Sequence, residues 1–355
     1  MDRIARLLST SARSSRILEI GAGYCPAAPK AAGWDTHVVD HADQDELRTK
    51  YAAATVDVNA IEAVDTVWRQ GTLHDAVPQA LHGRFDTMIA SHVFEHMPDP
   101  IGFLESADRL LTADGTIALA LPDRRFCFDY FKPPTMTGDV LEARAQRRTR
   151  HSLRTAWNHV AYSVTAGGQL AWGPGPVGRL ALMDPFEAAR DTWAGYTDDP
   201  RAPYVDYHVW HFTPAGFALV LLELGQLGLV NWRIDRLEGP ENFEFFAFLR
   251  RGTRQFADAG AMQAERLVLL RRQLLETGEQ TSAAPRMYAA AELPGSDDAS
   301  GARDQMSEIL ALLHLQDQRL RELQTTAAWV RAALRPVRAV WRAVRRRPPD
   351  PGREG

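Results

Sequence analysis

Arg16-Ile17-Leu18-Glu19-Ile20-Gly21-Ala22-Gly23 is the stretch whose reading decides the fold. Residues 17–20 are apolar apart from Glu19, as expected of a parallel strand buried on both faces. A Gly-x-Gly turn follows at once, and Gly21 and Gly23 permit both a tight turn and the close approach of a ligand. Alone, the pattern also fits a strand-to-turn corner with no ligand. Pro26 then stands where a dinucleotide fingerprint would have its third glycine. That glycine allows close helix packing beside a pyrophosphate, so NAD and FAD are disfavoured. Pro26 instead suits the first turn of a helix.

Outward from this turn, strand and helix patterns alternate. Residues 36–40 read as a second strand ending in Asp40, 19 residues after Gly21. An acid there faces the crevice of a doubly wound sheet and can accept both hydroxyls of a ribose; it can also be a helix N-cap. A helix over 43–53 follows. The third strand is 64–68 or 55–58; the first puts Gly71-Thr72-Leu73 on the loop entering the same crevice, and Asp57 belongs to the second. Residues 85–91 are a fourth strand running into His92-Val93-Phe94-Glu95-His96-Met97-Pro98-Asp99-Pro100. A helix over 100–111 turns Ile101, Leu104, Leu110 and Leu111 inward and stops at Asp114-Gly115. Residues 116–121 form a fifth strand, ending in Pro122-Asp123-Arg124-Arg125. This alternation predicts a parallel α/β sheet with right-handed crossovers.

LEIGAG, VVDHAD, FDTMIASHVFEHMPDP and LLTADGTIALALPDRR, in that order and spacing over 16–125, resemble class I S-adenosylmethionine-dependent methyltransferases of the type 11/12 kind. The resemblance implies a Rossmann-like, seven-stranded sheet whose last two, antiparallel strands come from 212–251. It implies S-adenosylmethionine as cofactor, with Gly21, Ala22 and Gly23 beneath its methionine part and Glu19 shaping that loop or meeting the amino group. Asp40, with His41, would hold the ribose, Leu73 would lie by the adenine, and Ser91 and His92 would sit near the sulfonium.

The composition limits the alternatives. A formal net charge of −4 gives no global pull toward nucleic acid, and none is expected as partner. Two cysteines, Cys25 and Cys127, exclude a disulfide framework or cysteine-rich zinc site and fit a reducing compartment. No apolar run approaches the ~20 residues that span a bilayer, so a cytoplasmic protein is expected. His92–His96 also spells H-x-x-E-H, a zinc-peptidase pattern. That pattern needs a long helix and a third ligand, and here Pro98 follows almost at once, so no metal is expected.

Five further regions follow the 1–125 core. Residues 126–211 are a large insertion after strand five, rich in aromatics, with Arg144, Arg147, Arg148, Arg150 and Arg154 on one expected helical stretch. The insertion is read as a lid over the acceptor, its flat rings suited to sugars and its arginines to a phosphate or carboxylate; equally, the aromatics could be the core of an accessory subdomain. Residues 212–251 are a helix, capped by Thr213 with Pro214 in its first turn, and the closing hairpin 230–235 and 244–249. Asp206, His208 and His211 are polar candidates on the acceptor side. Residues 252–276 are expected as a helix, 277–302 as a flexible linker and 303–347 as a helical, basic amphipathic tail. The tail resembles those of bacterial cell-surface glycan enzymes and suggests peripheral contact, through 329–347, with the inner face of the cell membrane; an acidic partner protein is the other reading.

The expected reaction is O-methylation of a sugar or glycan intermediate of cell-surface polysaccharide synthesis, with a lipid or small metabolite as other acceptors. His96 is the expected base, His92 the second, and Glu95 and Asp123 the groups that orient a histidine or the hydroxyl; His96 could instead only cap the following helix. From other classes, a silent docking module and an H-x-x-E-H zinc hydrolase compete.

Overall fold

A computed structural model describes residues 2–175, 178–199 and 201–288. A short N-terminal helix α1 (Arg3–Leu7) precedes β1 (Arg16–Ile20), β2 (Asp35–Asp40), α2 (Gln44–Tyr51), β3 (Thr66–Val67), α3 (Leu73–Ala76) and β4 (Phe85–Ser91). Then come α4 (Pro100–Leu110) and β5 (Leu111–Pro122). The insertion carries α5 (Thr137–Ala145), α6 (Leu153–Tyr162), β6 (Val164–Ala166), β7 (Leu180–Leu182) and α7 (Phe186–Gly195). The chain closes with α8 (Pro214–Gln226), β8 (Trp232–Glu241), β9 (Glu244–Arg251) and α9 (Ala259–Tyr288).

The main sheet has seven strands in the order β3-β2-β1-β4-β5-β9-β8. Neighbours are parallel from β3 through β5, and β9 joins antiparallel, Ala118 opposite Phe248. This is the expected Rossmann-like, seven-stranded sheet, with the insertion after its fifth strand. Chain order reverses between β1 and β4, so the crevice for a ligand opens at the carboxyl ends of those strands. Period-two alternation sends Leu18, Met88, Leu119 and Ala247 into one core and Ile17, Ile89, Ala118 and Phe248 into another, on the opposite face. The first core takes Phe103, Leu104 and Ala107 of α4 and Phe217, Val220 and Leu224 of α8; each large side chain buried there contributes roughly 1.5–3 kcal/mol. The second is closed by Leu7 of α1 and by Ala27 and Ala28.

Local signals set the helix starts. Asp43 accepts from the backbone of Asp45 and Glu46 while Glu46 returns to Asp43 N, a reciprocal cap. Asp99 and Thr213 accept from Gly102 N and Gly216 N, each just before a proline in the first turn.

Four expectations are corrected. Pro26 starts no helix: Pro29 removes a donor three residues on, and the N–H groups of Ala27 and Ala28 bond to Glu19 instead. The helix over 100–111 does not run to Asp114-Gly115; it ends at Leu110, and Leu111 is already in β5, opposite Phe85 and buried. Asp114-Gly115 lies in an irregular part of β5, where a Cβ on Gly115 would stand 2.8 Å from that of Leu111. The five arginines do not share a helix, since α5 ends at Ala145 and α6 begins at Leu153. Finally, 277–288 is helix, not linker. Tertiary contacts hold it there: Glu276 accepts from Ala215 N, and Gln280 bonds both Arg124 and the carbonyl of Tyr130. The expectations for 289–302 and for the tail, 303–347, lie outside the described residues. No described helix is long and apolar enough to cross a membrane.

Candidate functional site

The floor of the crevice is the turn after β1. Gly21 (φ 66°) and Gly23 (φ 48°) are both left-handed, and a Cβ on Gly21 would meet Val93 Cγ2 at 2.7 Å. Above Gly23 a Cβ would meet nothing nearer than 3.9 Å. Glu19, buried, accepts from Ala27 N at 2.6 Å and Ala28 N at 3.1 Å. Burial pushes its carboxyl pKa up, against the lowering by these two N–H groups. The carboxylate therefore shapes the loop, one of the two roles expected of it. Ala22 lends its carbonyl to Cys25 N.

Asp40 ends β2 and reaches across to the turn, its Oδ2 3.4 Å from Gly23 N. Its Oδ1 takes the backbone N–H of His41 and, at 2.7 Å, His41 Nδ1. Leu73 does not face the crevice: Thr72 caps the short α3, which turns Leu73 into the core. At that edge stands half-buried Trp68, whose backbone N–H bonds Asp40 O and whose indole bonds Gly71 O. An aromatic at the end of strand three was a signal in the sequence that the reading around Leu73 passed over.

The second half of the site begins where β4 ends. Ser91 Oγ accepts from Arg3 of α1, and Arg3 also pairs with Glu244. His92 takes a left-handed conformation (φ 54°), which β-carbon-bearing residues adopt at a cost and which marks many functional turns. Its Nε2 lies 2.8 Å from Glu244 Oε2. Burial would lower its pKa, but the carboxylates of Glu244 and Glu95 outweigh this and push it up to about 9. As an imidazolium in that pair, His92 has no free nitrogen with which to act as a base.

Glu95 is fully buried, and neither of its carboxylate oxygens receives a hydrogen bond. Three imidazoles surround Oε1: His92 Nδ1 at 3.5 Å, His96 Nε2 at 3.9 Å and His208 Nε2 at 3.9 Å. Burial would raise the pKa of Glu95; the histidines overcome it and keep the group a carboxylate. His96 Nδ1 lies 2.9 Å from Asp206 Oδ1 and 3.2 Å from Tyr207 O. His208 Nδ1 lies 2.6 Å from Asp129 Oδ2, and Asp129 is further paired with Lys132 at 2.7 Å. Burial opposes ionisation of Asp129, yet His208 and Lys132 hold its pKa well below the carboxylate range. Backbone bonds from Val209 and Trp210 to Glu95 O bind this end of the insertion to the strand-four loop.

Of the residues named from sequence, Glu95, His96, His208 and Asp206 are brought together. His211 lies beyond Asp129, and burial drives its pKa down to about 4, so it is neutral. Asp123 is elsewhere: both its oxygens are taken by Arg125, at 2.9 and 2.7 Å, and it orients no histidine. The H-x-x-E-H residues form one 3-10 turn over Phe94–His96, and His92 Nε2 is on Glu244, so the two-histidine pair of that pattern does not form. Its place is taken by His96 and His208. Asp129, Arg3 and Glu244 were missed, because nothing local in the sequence ties them to positions 91–96.

The insertion divides between the two readings of its aromatics. Tyr130 and Trp172 make a small core with Val164 and Ala166, and Trp210 joins the main core. Tyr162, Trp193 and Tyr204 stay exposed. Four of the five arginines are engaged within the chain: Arg144 bridges Asp99 and Glu105, Arg148 pairs with Glu142, Arg154 with Asp139, and Arg150 bonds the carbonyls of Ala202 and Pro203. Arg147 is exposed.

Residues 1–172 match a family model described as Methyltransferase domain. No curated protein matches the chain in sequence. Among solved structures, the CcbJ methyltransferase from Streptomyces caelestis is 14% identical, over 70% of this chain and 94% of that one, with a TM-score of 0.37. DhpI, solved as a complex with SAH, is also 14% identical, over 72% of this chain and 87% of its own, with a TM-score of 0.34.

Proposed function

We propose that the chain is an S-adenosylmethionine-dependent methyltransferase of the class I family and that it methylates a hydroxyl group, on a sugar of a cell-surface glycan or its precursor. The residues present fit the cofactor. The turn leaves open space over Gly23, and Asp40 presents a buried carboxylate whose Oδ2 has only a 3.4 Å bond. Bound there, the cofactor supplies a methyl group on a sulfonium. Gly21, Ala22 and Gly23 would hold its amino-acid part and Asp40 and His41 its ribose, while Glu19 keeps the loop in shape and Ser91 and His92 would stand on the side of the sulfonium.

The chain's own work is to align acceptor and methyl and to activate a hydroxyl. His96 does the second. Burial would lower the pKa of His96, but Asp206 and Glu95 outweigh this and raise it; once the ring is neutral, Asp206 and Tyr207 O, both acceptors, keep its proton on Nδ1 and leave Nε2 its lone pair. The Asp206–His96 pair at 2.9 Å is the observation that carries this reading; Asp206 orients the ring as a carboxylate does behind a general base. Tyr204, donating to Asp206 and partly exposed, offers a flat face beside it, which suits a sugar ring.

The expected outcome for His96→Gln is S-adenosylhomocysteine affinity within about twofold of the parent, with turnover on a nucleotide-sugar panel reduced by ~10²-fold or more. Unchanged turnover would remove His96 from the reaction. Turnover on lipid or small-metabolite acceptors alone would reassign the acceptor. Absence of S-adenosylhomocysteine binding by calorimetry would leave a silent docking module.

A further inference from the structure

We propose that Glu95, His96 and His208 bind a divalent transition-metal ion. Among the described residues, these three form the group of histidines and acids whose donor atoms converge, all within 4.8 Å of one another. The convergence is unusual in what it lacks. Asp206 and Asp129 accept at the Nδ1 atoms of His96 and His208, which puts the protons of the neutral rings there. Both Nε2 lone pairs then face Glu95 Oε1, each 3.9 Å away, with no donor between them. Both oxygens of Glu95 are without a hydrogen bond although the side chain is fully buried. The cation beside it, the His92 imidazolium, stands 3.5 Å from Oε1 without a hydrogen bond, and a metal ion at the centre would satisfy the carboxylate and both Nε2 lone pairs at once.

The surroundings are those of a metal centre. Ligating histidines almost always give their other N–H to a carboxylate, which fixes the tautomer and strengthens the ligand; here both do, to different aspartates. Two imidazoles and a carboxylate suit Zn²⁺, Fe²⁺ or Co²⁺ rather than Mg²⁺ or Ca²⁺. Bond lengths of about 2.0–2.2 Å set tetrahedral ligands roughly 3.3 Å apart, so the 3.9 Å separations must close by about half an ångström, and a separation at the 4.8 Å bound by roughly 1.5 Å. The ion would also join the insertion, through His208, to the strand-four loop. The proposal rests on the hydroxyl-methylating reading for its role alone. With an ion bound, His96 Nε2 would be a ligand and not a free base, so the base role belongs to the metal-free chain, and the ion would supply Lewis acidity toward an acceptor hydroxyl.

The test uses the full chain, stripped with chelator and titrated with Zn²⁺ alone, and in parallel with Co²⁺ followed by its visible spectrum. The expected result is one ion per chain and Co²⁺ bands of a nitrogen- and oxygen-ligated site. Affinity should fall at least ~100-fold in His208→Gln and His96→Gln, and by ~10–100-fold in Asp129→Asn, a supporting position. Circular dichroism controls for folding, and the Co²⁺ spectrum of the parent chain needs no variant. Absence of stoichiometric binding, or affinity unchanged in both histidine variants, would overturn the proposal. S-adenosylhomocysteine binding, measured on the same stripped protein, separates the two readings: retained cofactor affinity without metal binding defeats the metal site alone.

Discussion

Gly21 shows how little freedom a single position in the turn after β1 has. Its φ of 66° is costly for any residue with a Cβ, and the added carbon would stand 2.7 Å from Val93 Cγ2. Gly21→Ala is therefore expected to lose ~1–3 kcal/mol of stability and to weaken S-adenosylhomocysteine binding. Denaturant unfolding and calorimetry check the two effects separately; an alanine protein equal to the parent in both would mean that the turn is not strained. The residue scale is also where reading from sequence succeeded unevenly. The turn at Gly21 and Gly23 and the place of Asp40 at the end of β2 were legible because a turn and a strand end are local patterns. Leu73 was not, since a helix of four residues turned it into the core.

Elements obeyed their caps more faithfully than their composition. Thr213 before Pro214 opened α8 as expected, and the Thr213 side chain accepts from Gly216 N while itself fully buried. Thr213→Ala should cost about 1 kcal/mol, read as a lower denaturation midpoint with an unchanged slope; a midpoint at the parent's value would show that the proline and the packing of α8 suffice. Composition misled where tertiary contacts intervened. Thr277, Gly278 and Ser282 suggested a linker, yet the helix persists through them. Pro26 suggested a helix, yet Glu19 captured the donors that a helix would have needed.

At the scale of the whole molecule, the far end of α9 packs on the start of the insertion. Arg124, buried, gives Nη1 to Gln280 at 2.8 Å, and Arg125 gives Nη1 to Glu279 at 3.0 Å. A chain ending at Glu276 should be less stable than one ending at Tyr288 by ~1–3 kcal/mol, the cost of leaving a buried charged donor without its partner. The corresponding drop in Tm is roughly 2–10 °C. Equal melting temperatures would show that the described end of α9 contributes nothing to the core.

The sequence by itself determined the sheet's central strands, the glycine turn, the acid that ends β2 and the starts of α2, α4 and α8. All are set within a few residues by side-chain period, backbone conformation and local hydrogen bonding. Only the tertiary structure decided which groups meet at Glu95. Asp129, Asp206 and His208 come from the insertion, His92 is held as an imidazolium by Glu244 of β9, and Arg3 arrives from the first helix. These pairs lie tens to hundreds of residues apart along the chain. Their meeting depends on how the insertion returns over the strand-four loop and how the last hairpin enters the sheet, and no short window of sequence carries that.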